Sequence, residues 1–319
     1  MSLSTAVLFL VFNRPETTRQ VFEVIRQVRP PRLYVAADGP RIDRSGERAL
    51  CDEARGVVTD VDWPCEVKTL FREENLGCGV GVSSGISWFF EHEEEGIILE
   101  DDVLPSPDFF GFCEKMLEEY RHDERIMMIT GTNFGSTDMS TQNYFFSQHY
   151  SIWGWATWKR AWKLYDRGMS SWPAPCEVTF LKYHFGSKIA KYYVYIFNLV
   201  TKMNLDTWDI QWVYCCVFNN GLCVTPRINL ISNIGIIGTH SSEVTDSHLL
   251  KLGRLDSDLL RGPGRVCVDV EYDQFLHETK HLPAMRKAVL IDFIHLIGLL
   301  GPLHRLYRAV TAVSGKISR

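Results

Sequence analysis

Residues Gly96 to Phe110 read GIILEDDVLPSPDFF. A short apolar run ends on three adjacent carboxylates, Glu100, Asp101 and Asp102, and two prolines follow. The run reads as a buried strand. Side chains alternate along a strand, so three acids leaving it cannot share one face. Like charges packed together repel, and the cluster needs an offset. A divalent cation is one solution. Hard oxygen donors suit Mg²⁺ or Mn²⁺, and Mg²⁺ takes one or two carboxylates and leaves the rest to substrate phosphates. A solvated acidic turn is the other, ahead of a helix whose N-terminal dipole Asp108 favours.

Working upstream, short apolar runs alternate with amphipathic segments. Val7–Phe12 reads as a strand, followed by a helix with Asn13 as candidate cap and Pro15 in its first turn. Val21, Val24, Ile25 and Val28 keep helical spacing. Leu33–Ala37 is a second strand, ending in Ala37-Asp38-Gly39-Pro40, and Glu47–Val58 a second helix. Glu66–Phe71 is a third strand and Gly81–Glu94 a third helix. Ile97–Leu99 is the fourth strand, Pro107–Tyr120 a helix and Ile126–Thr130 a fifth strand. This alternation predicts an α/β fold, a Rossmann-like, mostly parallel sheet flanked by helices. In such sheets ligands bind outside the carboxyl ends of the strands. Those ends carry Asn13-Arg14, Asp38-Gly39, Arg72 and the acid triplet.

After about residue 140 the pattern changes. In SIWGWATWKRAW, Trp155, Trp158, Ala161 and Trp162 fall at helical spacing. Segments 187–203 and 208–218 read as helical, and 222–240 as a short strand followed by loops. The tail RKAVLIDFIHLIGLLGPLHRLYRAV is apolar and basic at both ends. Its apolar stretch is too short and interrupted to span a bilayer. Two readings stay open: a core or homodimer-contact helix, or an interfacial helix lying on a membrane.

The 319-residue chain, 45% hydrophobic and 23% charged, has ordinary globular composition. A formal charge of −5 offers no global field for nucleic acid. The opening residues lack the basic start and cleavage site of a signal peptide. Nine scattered cysteines include no C-x-x-C pair and no zinc-type spacing. They read as reduced thiols of a cytoplasmic protein, peripheral on the inner membrane face if the tail binds lipid.

The ordered set of Asn13-Arg14-Pro15-Glu16, Ala37-Asp38-Gly39, REENLGCGVGVSSGISW at 72–88 and the strand-four acids resembles GT-A-fold glycosyltransferases. The stretch EDDVLPSPDFF is closer still to the N-acetylglucosaminyltransferase I type, and some bacterial hemolysin-like proteins share the set. The resemblance covers residues 5–135 well and continues more loosely to about 240. It implies a GT-A catalytic domain over 1–245, with a nucleotide-sugar half (1–135) and an acceptor half (136–245), then a helical extension over 246–319.

The resemblance also implies roles. Asp102 holds the metal, Mn²⁺ or Mg²⁺. Asp101 lies near the ribose or the metal's waters, and Glu100 near the donor sugar. Asp38 accepts from the base, and Arg14 lies near the nucleotide or diphosphate. Arg72 and Asn75 close the nucleotide pocket, while Gly77 and Gly79 let backbone approach the ligand. Cys78 stands where a lysine or arginine is commoner. The catalytic base of this type lies in a Trp-Asp-Asp-Trp stretch, which Trp208-Asp209 resembles. Asp209, set among apolar neighbours, is the expected base, or alternatively a cap of the following helix. Asp206 is the second choice. His240 is a candidate metal or diphosphate ligand. Trp153, Trp155 and Trp208 are candidates to stack on a sugar, and Trp158 and Trp162 read as core.

The expected function is therefore a metal-dependent inverting glycosyltransferase. It would move a sugar from a nucleotide-diphosphate donor, with uridine the favoured base, to a glycan or glycolipid acceptor. One rival is a sugar nucleotidyltransferase. Such enzymes open with a Gly-rich basic loop after strand one, where this chain has Asn13-Arg14-Pro15. Another is a non-catalytic binding or effector protein on the same fold.

Overall fold

A computed structural model describes residues 3–135, 142–235 and 249–296, with side chains to residue 290. Four strands, β1 (Val7–Val11), β2 (Arg32–Ala37), β3 (Glu66–Phe71) and β4 (Glu95–Glu100), run parallel in the order β3-β2-β1-β4. Helices α1 (Pro15–Val28), α2 (Glu47–Thr59) and α3 (Gly77–His92) connect them. The chain continues through β5 (Val103–Pro105), α4 (Pro107–Glu119), β6 (Ile126–Thr130), β7 (Tyr144–Ser147) and β8 (Trp155–Trp158). Next come α5 (Lys159–Trp162), α6 (Pro175–Met203), α7 (Asp209–Phe218), β9 (Leu222–Pro226) and β10 (Ile231–Asn233). Strands β8, β6, β9 and β7 extend the sheet beyond β4, with β8 and β7 antiparallel to their neighbours. Strand β10 pairs only with β5, as a small antiparallel ribbon.

Burial on both faces explains why β1 is apolar throughout rather than alternating. Val7, Phe9 and Val11 face a core completed by Val21, Phe22 and Ile25 of α1 and Phe109 and Phe110 of α4. Ala6, Leu8 and Leu10 face a second core with Ile86 and Phe89 of α3, Trp162 of α5 and Trp208 and Trp212. Helix α1 starts at Pro15, whose missing N–H costs nothing there. Its cap is Arg14 rather than the expected Asn13, because the Asn13 amide instead donates to Glu47 Oε1 at 2.9 Å.

The tryptophan segment corrects the expected helix. Trp155–Trp158 is a strand between β4 and β6, and only Lys159–Trp162 turns helical. Ladder pairing overrides the helical spacing, and Trp155 and Trp158 fall into the cores on opposite faces of the sheet. Trp158 and Trp162 are core, as read from the sequence. Helix α6 begins earlier than expected and contains a break at Gly186, whose φ of 75° only glycine adopts freely. All nine cysteines are free, five of them buried.

The extension runs through α8 (Val270–Leu276), a π turn (His277–His281) and α9 (Leu282–Leu296). It packs on β7 through Phe145 and Tyr272, whose rings lie 4.6 Å apart. Asp273 accepts from the Gln148 amide at 2.8 Å and from the Ser147 hydroxyl. Among the described residues no helix is long and apolar enough to cross a membrane. The tail beyond residue 296 lies outside the described residues.

Three imidazoles meet at this junction. His281 lies 4.8 Å from His149 and 4.9 Å from His277, ring to ring, and stacks on Tyr192 at 4.6 Å. Burial pushes His149 down to about 3, His277 to about 4 and His281 to about 2, from an ordinary 6.5. Lys280 and the neighbouring histidines add to the shifts of His149 and His281. A depressed folded-state value means that only the unfolded chain takes up the proton in this window. These groups therefore support the fold fully above about pH 6.5, and that support is lost as the pH falls toward about 4. Asp273, pushed up to about 6 by burial, acts oppositely and favours the fold when protonated. Glu100 and Asp101, whose carboxyls burial also pushes up, act in the same sense as Asp273, so the histidines are isolated by comparison with a variant. Between about pH 7 and about pH 5 the double variant His149→Phe/His281→Phe should lose less melting temperature, or gain more, than the wild type. An identical pH dependence in the two proteins would contradict the assignment.

Candidate active site

The parallel register sets Leu10 beside Glu100, so the residues leaving β1 and β4 emerge together. The Phe12 amide donates to Asp101 Oδ2 at 3.0 Å. Arg14 Nη2 meets Asp101 Oδ1 at 2.6 Å, and Arg14 Nη1 meets Asp102 Oδ2 at 2.5 Å. The side chain of Asp101 is 4% exposed and that of Asp102 16%, so the two differ in access to ligand. Both Asp101 oxygens are taken by the protein. Asp101 thereby ties the two strand ends together while lining the cavity between them. Burial disfavours the Arg14 charge, but Asp101, Asp102 and Glu100 outweigh it and hold the guanidinium well above its ordinary value. Glu100 makes no hydrogen bond through its carboxyl among the described residues. Burial, with Asp102 adding, pushes it up to about 8. The repulsion of the triplet is thus relieved within the chain, by a protonated Glu100 and by Arg14.

The opposite wall is built on the ends of β2 and β3. Asp38 accepts from the amides of Gly39 and Leu76 at 3.0 Å, from that of Gly77 at 3.1 Å and from Asn75 Nδ2 at 3.0 Å. Burial raises its pKa. Arg72 donates to Ser84 Oγ at 2.8 Å, and among the described residues no carboxylate lies within ion-pair distance of it.

Helix α3 starts at Gly77, four residues earlier than expected. Its first amides do not face an open cradle. Cys78 and Gly79 N–H donate to the two Asp206 oxygens, each at 2.9 Å. A Cβ on Gly77 would stand 2.5 Å from Asp206 Oδ2, and one on Gly79 would stand 2.7 Å from Oδ1. Backbone approaches closely at both glycines, and the group it meets there is an aspartate of the second half. Asp209 opens α7 behind the cap residue Trp208, and the Thr207 hydroxyl donates to its Oδ1. Its side chain makes no capping bond. The charge of Asp209 is felt by Glu100 and by Cys78, whose thiol burial pushes up to about 12.

A cavity of about 280 Å³ lies between these walls, near the lower end of the ~300–1,000 Å³ of small-molecule sites. Arg14, Asp38, Arg72, Asn75, Glu100, Asp101 and Asp206 all line it. Asp102 adjoins it through Arg14. His240 lies outside the described residues. Sequence reading missed the Asp206 contact, which pairs positions 127 and 128 residues apart with no local signal. Two tryptophans leave the list of sugar platforms. Trp155 and Trp208 are 0% and 2% exposed and stack on each other at 5.7 Å. Trp153 remains partly exposed, beside Phe134.

Among the described residues no three histidine, cysteine or acidic side chains converge as a metal centre. Asp102, with one oxygen on Arg14 and the other uncommitted, is the carboxylate open to a cation.

No protein-family model matches the chain, and no curated protein matches it. Solved structures align with it at low similarity. HddC from Yersinia pseudotuberculosis is 9% identical, with TM-score 0.30, over 49% of this chain and 77% of that one. A UDP-glucose pyrophosphorylase complexed with UDP-glucose is 8% identical, with TM-score 0.30, over 51% and 79%. The inositol-1-phosphate CTP transferase from T. maritima is 12% identical, with TM-score 0.32, over 51% and 74%.

Removing Asp101 strands the Phe12 amide and half of the Arg14 pairing in a buried place. Asp101→Ala should cost about 3–5 kcal/mol in urea unfolding, the range for breaking a buried pair. Asp102→Ala, at a more open position, should cost clearly less. Equal losses would contradict the difference between a buried tether and a more open carboxylate.

Proposed function

We propose that the protein is a metal-dependent inverting glycosyltransferase that uses a nucleotide-diphosphate sugar, with uridine as the favoured base. The observation that carries this reading is convergence on one cavity. Glu100 and Asp101 come from the end of β4, Arg14 and Arg72 from the ends of β1 and β3, and Asp206 from the second half, with Asp209 three residues beyond it and near enough for its charge to act on Glu100. An arginine without a carboxylate partner, Arg72, suits the charge of a diphosphate.

The chain's own groups fit Mg²⁺ or Mn²⁺ in the manner of a site completed by substrate. One accessible carboxylate, Asp102, is a hard oxygen donor, and phosphate oxygens supply the other ligands. When bound, the ion offsets negative charge on the departing diphosphate. Arg14 and Arg72 add to that offset from the protein. Glu100, which lines the cavity, lies near the donor sugar. Asp209 takes the proton from the acceptor hydroxyl as that oxygen bonds to the anomeric carbon and the diphosphate leaves. The acceptor is a glycan or glycolipid, admitted from the side of the second half.

Thermal shift against a panel of nucleotide sugars, with and without Mn²⁺, tests the donor. A uridine diphosphate sugar should stabilise the protein only with the cation, and Asp102→Ala should lose that response. Asp209→Asn should keep donor binding and lose about 10²–10⁴-fold in kcat, the range for a general base. Transfer at the native rate by this variant would remove Asp209 from the role.

A further inference from the structure

We propose that Asp206 is the positioning residue that seats the base over the donor. This rests on the glycosyl-transfer reading above. The first amides of a helix have no acceptor within the helix. In α3 two carboxylates supply acceptors: Asp38 takes Leu76 and Gly77, and Asp206 takes Cys78 and Gly79. Asp38 belongs to the same half as α3. Asp206 does not, and its contact joins the two halves beside the cavity that it lines.

An exposed carboxylate is ordinarily left to water, and this one has each oxygen on a separate backbone amide at 2.9 Å. Glycine is required for the contact. A Cβ at Gly79 would press on Asp206 Oδ1 at 2.7 Å and on the Thr207 carbonyl at 2.8 Å. From Asp206 the chain reaches Asp209 in three residues, a span of at most about 10 Å. That short stretch is braced as well. Gln211 Nε2 donates to the Thr207 carbonyl at 2.8 Å, the Thr207 hydroxyl donates to Asp209, and Tyr165 donates to the Trp208 carbonyl at 3.2 Å. Anchoring Asp206 on α3 therefore fixes where Asp209 stands relative to Glu100. With both oxygens committed to amides, Asp206 itself is not placed to accept a proton from substrate.

Amide hydrogen exchange and steady-state kinetics on Asp206→Ala test this together. Exchange at Cys78 and Gly79 should quicken about tenfold or more, while Leu76 and Gly77, held by Asp38, stay protected. The affinity for uridine diphosphate with Mn²⁺ should stay within about threefold, and kcat should fall by about 10²-fold, as for a misplaced catalytic group. Asp206→Asn, which keeps one acceptor oxygen, should recover part of the rate. If Asp206→Ala does not fold, Gly79→Ala displaces the same carboxylate and should give the same split. Unchanged exchange at Cys78 and Gly79, an unchanged kcat, or a loss of nucleotide affinity as large as the loss in kcat would overturn the proposal. If the wild-type protein transfers no sugar from any donor, the parent reading falls, and the exchange pattern still decides whether the clasp exists.

Discussion

The site depends on how three carboxylates are kept together at the end of one strand. Burial disfavours the charged forms of Glu100 and Asp101, and neighbouring acids add to this. The chain solves this with one guanidinium. Arg14 leaves β1 next to β4 and spans Asp101 and Asp102, while the Phe12 amide closes on Asp101. Glu100 responds by holding its proton. Asp102, half-buried, keeps one oxygen without a hydrogen bond among the described residues. Without the parallel register that brings β1 and β4 to one edge, the triplet would be an unstable feature rather than a usable one.

The same logic organises the rest of the cavity. Most polar groups on its walls already have partners within the chain. Asp38 and Asp206 are spent on the start of α3, so that helix end presents no bare amides to a phosphate. The Arg72 side chain bonds a serine hydroxyl and has no carboxylate within ion-pair distance among the described residues, which is why the proposed function gives it the diphosphate. Behind the second wall, Trp155, Trp162, Trp208 and Trp212 pack with ring centres 5.3–6.5 Å apart. Such aromatic pairs add about 0.5–1.5 kcal/mol each beyond their buried area, and they give α7 a rigid seat.

Much of the sheet was legible because burial on both faces leaves a strong signature. The apolar runs at 7–12, 33–37 and 126–130 needed no tertiary knowledge, and turn residues marked where each stops. Strand β8 was hidden because Trp155, Trp158 and Trp162 satisfy helical spacing while Trp155–Trp158 pairs on both edges. The strand ends were legible as a set, since topology alone brings them to one rim. Their internal wiring was not. That Arg14 answers the acids depends on side-chain reach across two strand ends. That Asp206 answers the glycines at 77 and 79 depends on packing between two halves far apart in sequence. Glycine in GCG announced a close approach without naming its partner, and the short polar loop at 204–207 gave no sign of it.

The most direct measurement is a structure of the protein soaked with Mn²⁺ and uridine diphosphate. The account expects the ion on Asp102, the diphosphate between that ion and the guanidinium groups of Arg14 and Arg72, and Asp209 facing the open end. Nucleotide bound at another surface, with Arg14 still closed on both aspartates and no ion at Asp102, would contradict it.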